Sequence, residues 1–152
     1  MITKLLEKEG HLLQGMTCQE WKEVVDLLAA PLIAEGAVTE AFAESAKEAA
    51  EQFGGYVVLV EDIAFFHGRP EAGVREIAMT LGLLEDPVYL FEKRIKAAFL
   101  FAAVDTESHG ELLKALAWIM NDETCLELLR DGSDPGIILK KCKEVEEQHE
   151  IS

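Results

Sequence analysis

The side chains best placed to do chemistry here are histidines: His11, His67, His109 and His149. Imidazole exchanges a proton near neutral pH and keeps a nitrogen lone pair for attack or coordination. His149 lies in an acidic tail, EEQHEIS, and reads as solvated. His11 opens a short apolar stretch, HLLQG, and reads as part of a strand. His67 and His109 stand instead at junctions between elements, where functional side chains are usually presented.

His67 closes the apolar run IAFF and opens the loop HGRPEAG. Strand residues would anchor such a side chain from behind and leave its front open. Gly68 permits close approach of another backbone or of a phosphate. Arg69 supplies a fixed cation whose forked donors match phosphate oxygens. Pro70 stiffens the loop. His109 falls in SHGELLKALA, where Ser108 and Glu111 have capping-box spacing. That spacing makes His109 the first helical residue. Free backbone N–H groups and the helix dipole favour an anion there. The same dipole opposes protonation and leaves one ring nitrogen as an acceptor. Each segment alone is also compatible with an ordinary surface loop or helix start.

Other histidine chemistry fits less well. A metal would want a third ligand; Asp105 is available, but no HxH or HxxxH spacing occurs. No GxSxG marks a hydrolase nucleophile. GxxxxGK[ST] and GxGxxG are missing too, which argues against a nucleotide as phosphoryl source. Cys18, Cys125 and Cys142 are widely spaced, with no CxxC pair, and suit a reducing compartment.

The formal net charge is −15, from 29 acidic and 14 basic residues. Nucleic acid would be repelled, and an anionic membrane surface is disfavoured for the same reason. A basic protein partner would be attracted. No apolar run reaches the roughly 18–20 residues needed to cross a bilayer, and the segment MITKLLEKEGHLL is too charged for a secretory leader. The expectation is a soluble cytoplasmic protein without direct membrane insertion.

The 152 residues suit one domain, 1–152, with no repeat or linker to divide it. HLLQG reads as a first strand. Thr17 with Glu20 predicts a capped helix through CQEWKEVVDLLAAPLIAEG, interrupted near Ala30 by Pro31 and stopped at Gly36. Thr39 caps a second helix that Gly54 ends. YVVLV, IAFF, REIAMTLGLL and RIKAAFLFAAV read as strands, the last central because it is nearly all apolar. SHGELLKALAWIMND, TCLELLRDG and DPGIILKKCKEVEEQ read as helices, with Asp134 as cap and Pro135 in first position for the last. The fold class is α/β, a three-layer-like sandwich of helices on a small mixed sheet.

With these segments in order, the chain resembles a known family. YVVLVEDIAFFHGRPEAGV is similar to the active-site segment of phosphotransferase-system EIIA domains of the mannitol/fructose class. Its HGRPE-x-GV form is nearest the ascorbate-specific branch. FLFAAVDTESHGELLKALAWIMND resembles that family's second segment, an apolar strand followed by a histidine in the first turn of a helix. The helix–Gly–Val–helix–Tyr layout upstream is similar as well, so the likeness covers nearly the whole chain.

The resemblance implies a phosphotransferase without cofactor or metal. His67 would accept a phosphoryl group from phospho-HPr and hand it to a cysteine of an EIIB domain, for uptake of ascorbate or a related sugar. His109 would steady the phosphate, with Gly68, Arg69 and Ser108 as phosphate- or partner-binding residues. The family usually has proline before the active histidine; Phe66 stands here and must hold the loop by packing. Phe65 and Phe66 could rim a partner site or fill the core. A regulatory EIIA-like protein controlling a partner, or an interaction module with incidental histidines, are the alternatives.

Overall fold

The computed structural model describes residues 1–151; Ser152, the last residue of the expected 1–152 domain, lies outside the described residues. Ten elements follow one another. They are α1 (Ile2–Leu6), β1 (Leu12–Met16), α2 (Trp21–Ala34), α3 (Glu40–Val57), β2 (Asp62–His67), β3 (Ala78–Leu90), β4 (Lys93–Ala102), α4 (Thr106–Met120), α5 (Glu123–Asp131) and α6 (Pro135–Ile151).

The sheet has the order β1-β3-β4-β2. β3 and β4 form an antiparallel hairpin at its centre, and β1 and β2 flank them, each parallel to its neighbour. Both central strands read as nearly continuous apolar runs because helices cover both faces. Alternation along β2 assigns side chains to opposite layers. Ala64 and Phe66 join α2 and α3 in one core, with Val24, Leu28, Leu32 and Phe42. Ile63 joins α1, α4, α5 and α6 in the other, with Phe99, Phe101, Leu112 and Ile119. This is the expected mixed sandwich, with a helical layer on each face.

Several local expectations are corrected. Glu20, not Thr17, occupies the N-cap of α2, and no side chain caps it. Pro31 does not break α2, which runs through it to Ala34. Burial of Leu28, Ala29 and Leu32 against the sheet outweighs one lost backbone bond. Thr39 does sit at the N-cap of α3, but its hydroxyl makes no capping bond. α3 does not end at Gly54: it bends at Phe53, where φ is −118° and ψ is 29°, and continues to Val57. YVVLV is therefore not a strand. Tyr56 and Val57 finish the helix, and only Val60 makes an isolated bridge, to Ile63.

Two features carried no readable signal. α1 is a single five-residue turn. β3 continues through Glu85, Asp86 and Pro87 to Leu90, although those residues look like a turn. The ladder shifts register between Leu83 and Val88, which accommodates a residue with no N–H to give.

α1 is held by Glu146 of α6, whose carboxylate is almost fully buried. It accepts from the Met1 ammonium at 2.7 Å, the Ile2 amide at 2.9 Å, and the Thr3 amide and hydroxyl at 2.7 Å each. Burial pushes the Glu146 carboxyl up, but these four donors outweigh it and hold it below the ordinary 4.5. A depressed carboxylate pKa adds stability above its ordinary value that is lost as pH falls through the folded value. Glu146→Gln should cost about 2–3 kcal/mol near neutral pH in urea denaturation. The gap from wild type should narrow as the pH drops into the acid range.

Candidate functional site

β2 ends at His67, which pairs in parallel register with Phe101 of β4. Matched positions on neighbouring strands point to the same face, so the imidazole lies beside the phenyl ring. The two rings are nearly parallel, 4.9 Å between centroids and 19° between planes. Beyond β4 the chain crosses to α4, which brings His109 to the same place. The His67 and His109 rings are 5.3 Å apart and tilted by 52°. Phe101 lies 5.8 Å from His109 and so underlies both. Both histidines are half-buried, whereas Phe101 is sealed in the core.

The His67 ring is fixed by a second contact. Its Nδ1 lies 3.2 Å from the Phe65 carbonyl oxygen. A carbonyl can only accept, so Nδ1 carries the hydrogen and Nε2 is left with its lone pair. Burial pushes the pKa of His67 below the ordinary 6.5. The Phe65 carbonyl opposes that shift, and the neighbouring His109 adds to it. The ring is thus neutral at neutral pH, with the Nε2 lone pair available.

The loop after His67 is clamped to α3 by a residue that sequence reasoning missed. Ser45 is buried, and its hydroxyl accepts the Arg69 backbone N–H at 2.9 Å. A Cβ on Gly68 would lie 2.7 Å from Ser45 Oγ and 3.0 Å from the Phe42 carbonyl. Gly68 therefore serves close backbone approach to α3. Nothing in the sequence around Ser45, within FAESAKEAA, marks it.

The Arg69 side chain is exposed, with Glu71 at 3.6 Å and Glu48 at 3.9 Å. Ser108 is not the N-cap of α4. Asp105 is, its carboxylate accepting the Ser108 amide at 2.8 Å. The Ser108 hydroxyl accepts from the amides of Val104 and Asp105. The capping box is Asp105 with Ser108, and Glu111 takes no part. Asp also caps helices well, and its side chain suits the extended backbone at 105. His109 consequently sits one turn inside α4, with its own amide spent on the Asp105 carbonyl at 3.1 Å. A carboxylate already neutralises this helix end.

Phe66 faces the opposite layer, fully buried and stacked on Trp21 with centroids 6.1 Å apart. Unlike proline, it keeps a backbone N–H, and β2 stays in register with β4 through Phe66–Leu100 to His67–Phe101. Phe65 is half-buried and lines an apolar groove of about 340 Å³ with Leu113, Leu116 and Met120 of α4; His67 stands on its rim. His11 is remote from this groove. It is buried, with Met79 O 2.9 Å from Nδ1 and the Glu35 carboxylate 2.7 Å from Nε2. His149 stacks on Trp118.

A helix-layered mixed sheet with two imidazoles apposed at one end defines a class of histidine-bearing α/β proteins. Residues 4–145 match the family model for the phosphoenolpyruvate-dependent sugar phosphotransferase system, EIIA 2, and the chain belongs to that family. It is thereby a phosphotransferase component of the phosphoenolpyruvate–sugar system. It is 29% identical over 119 residues to the mannitol-specific cryptic phosphotransferase enzyme IIA component of Escherichia coli K12. That match covers 77% of this chain and 81% of the relative. It is 28% identical over 130 residues to the ascorbate-specific PTS system EIIA component of the same strain, covering 83% and 84%. The solution structure of the E. coli mannitol-specific cryptic enzyme IIA superposes with a TM-score of 0.79 at 25% identity, covering 95% and 96%. No helix among the described residues is long and apolar enough to cross a membrane.

Two outcomes test this geometry. Gly68→Ala should destabilise the fold by about 1–3 kcal/mol. Adding Ser45→Ala should restore part of that loss, so a denaturation double-mutant cycle should show less than additive costs. NMR titration should place the His67 pKa below 6.5. It should move upward in His109→Ala, which removes the neighbouring imidazole that lowers it.

Proposed function

We propose that His67 is the residue that takes up and passes on the phosphoryl group, and that His109 stabilises it there. The observation that carries this reading is the apposition of the two rings at 5.3 Å, with Nε2 of His67 the nitrogen left unbonded by the Phe65 carbonyl. The donor would be phospho-HPr. Nε2 attacks phosphorus in line with the donor's N–P bond. A new N–P bond forms as the old one breaks, and the donor imidazole leaves with its electron pair. The Phe65 carbonyl then supports the positive charge at Nδ1. In the second half-reaction a cysteine thiolate of an EIIB domain attacks the same phosphorus, and His67 departs neutral.

Such a transfer gains its rate from positioning and from charge stabilisation. His109, within one turn of a helix start, can donate a ring N–H to a phosphoryl oxygen. Arg69 is held only by two exposed carboxylates, and such pairs are worth about 0–1 kcal/mol. It can exchange them for phosphate oxygens, which offer forked geometry. We assign Gly68 and Ser108 to shaping the site: Gly68 lets the loop reach α3, and Ser108 fixes the turn before His109. The apolar groove beside His67 suits the contact face of the partner proteins. The excess negative charge favours a basic one. The ascorbate-specific relative and the HGRPE segment support ascorbate or a related sugar as the transported substrate. A cytoplasmic location follows from this role.

Incubation with phosphoenolpyruvate, enzyme I and HPr should give an acid-labile phosphate on the wild-type chain and none on His67→Ala. His109→Ala should keep its circular dichroism spectrum yet accept phosphate roughly 10–100-fold more slowly. Onward labelling of an EIIB cysteine tests the transport role. Phosphate that stays on the chain would favour a regulatory protein, and an unlabelled wild type would sink the phosphocarrier reading.

A further inference from the structure

We infer that Phe101 is a positioning residue for phosphoryl transfer, its ring serving as the platform that locks His67 in the tautomer with Nε2 free. The inference rests on the assignment of His67 as acceptor. Three observations converge. The Phe101 ring lies flat against His67, 4.9 Å away and 19° from parallel. It also lies 5.8 Å from His109, so one side chain sets the spacing of both imidazoles. Its own place is rigid: it is 1% exposed and paired in register with both His67 and Met79 across the sheet.

Without that ring, His67 has a single directional restraint, the 3.2 Å contact from Nδ1 to the Phe65 carbonyl. A histidine can flip about its Cβ–Cγ bond, which would put Cδ2 where Nδ1 stands and take Nδ1 off the Phe65 carbonyl. The flat phenyl face opposes that motion because the imidazole must clear it to turn. A branched aliphatic side chain keeps the surroundings apolar but offers no such face. The effect on chemistry is geometric, since a misplacement of about 1 Å at the reacting centre can cost about a hundredfold in rate.

Phe99 provides a matched control. It is equally buried, on the same strand and in the same core, and stacks on Phe65 at 5.6 Å rather than on either histidine. Phe101→Leu and Phe99→Leu should therefore lose comparable stability while differing at the site.

The test uses the full chain, with long-range 1H–15N NMR to read the His67 tautomer and phospho-HPr to measure the rate of phosphate uptake. In Phe101→Leu, the Nδ1–H tautomer should give way to a mixture and uptake should slow about tenfold. Phe99→Leu should keep the wild-type tautomer and rate. Should Phe101→Leu not fold, Phe101→Met carries the same measurement with a more adaptable side chain. A labelled wild type whose Phe101 variant matches it in tautomer and rate overturns the role of Phe101 alone. So does equal damage from Phe99→Leu. A wild type that takes no phosphate from phospho-HPr overturns the acceptor assignment first, whatever the tautomers show.

Discussion

In-register parallel pairing of β2 on β4 decides what this molecule presents at its surface. Side chains alternate along a strand, so a slip of one residue would send His67 into the layer of α2 and α3 and bring Phe66 out. The pairing is secured from both ends. At its start, Asp62 adopts a positive φ of 70° and takes a forked pair of bonds from Arg94, at 2.6 and 3.0 Å. At its finish, Phe66 is buried on the α2 side and the next turn is latched to Ser45. Between them Ile63 and Ala64 are fully buried in opposite cores. The register is thus fixed by apolar burial on both faces, and the direction of the His67 side chain follows from it.

The second imidazole arrives by a different route. β4 carries the chain past Phe101 and Ala102, and Asp105 with Ser108 starts α4 within a few residues. A short, tightly bonded turn leaves little freedom in where the first turns of α4 can go. Much of the site's precision lies in backbone-directed bonds of this kind.

Much of this was legible in the residues. Apolar alternation, breakers and helical periodicity gave β1, β2, the first half of β3, β4 and the helices α2 to α6, because these are local properties. His67 was readable from IAFF-HGRP, where a buried run meets a loop, and His109 from its place just after a helix start. Their meeting was not local information; it came from the resemblance, and the sheet order realises it. The misreadings have physical causes. YVVLV has strong β propensity, yet its first two residues finish a bent helix and the rest carry the chain down to begin β2. Glu85-Asp86-Pro87 carries turn chemistry, yet it sits in a register shift of the long hairpin. Ser108 has cap chemistry, but Asp105 three residues earlier claimed the position. Ser45 and Phe101 were silent because their importance lies in what lies across from them in space.

Trp21 stands on Phe66, one residue from His67, and only Trp118 shares its type. The indole of Trp21 is therefore a built-in optical gauge of the strand end, separated from solvent chemistry at His67 by the thickness of the sheet. Phenylalanine at position 66 thus ties the end of β2, through its ring, to a fluorophore in the opposite layer.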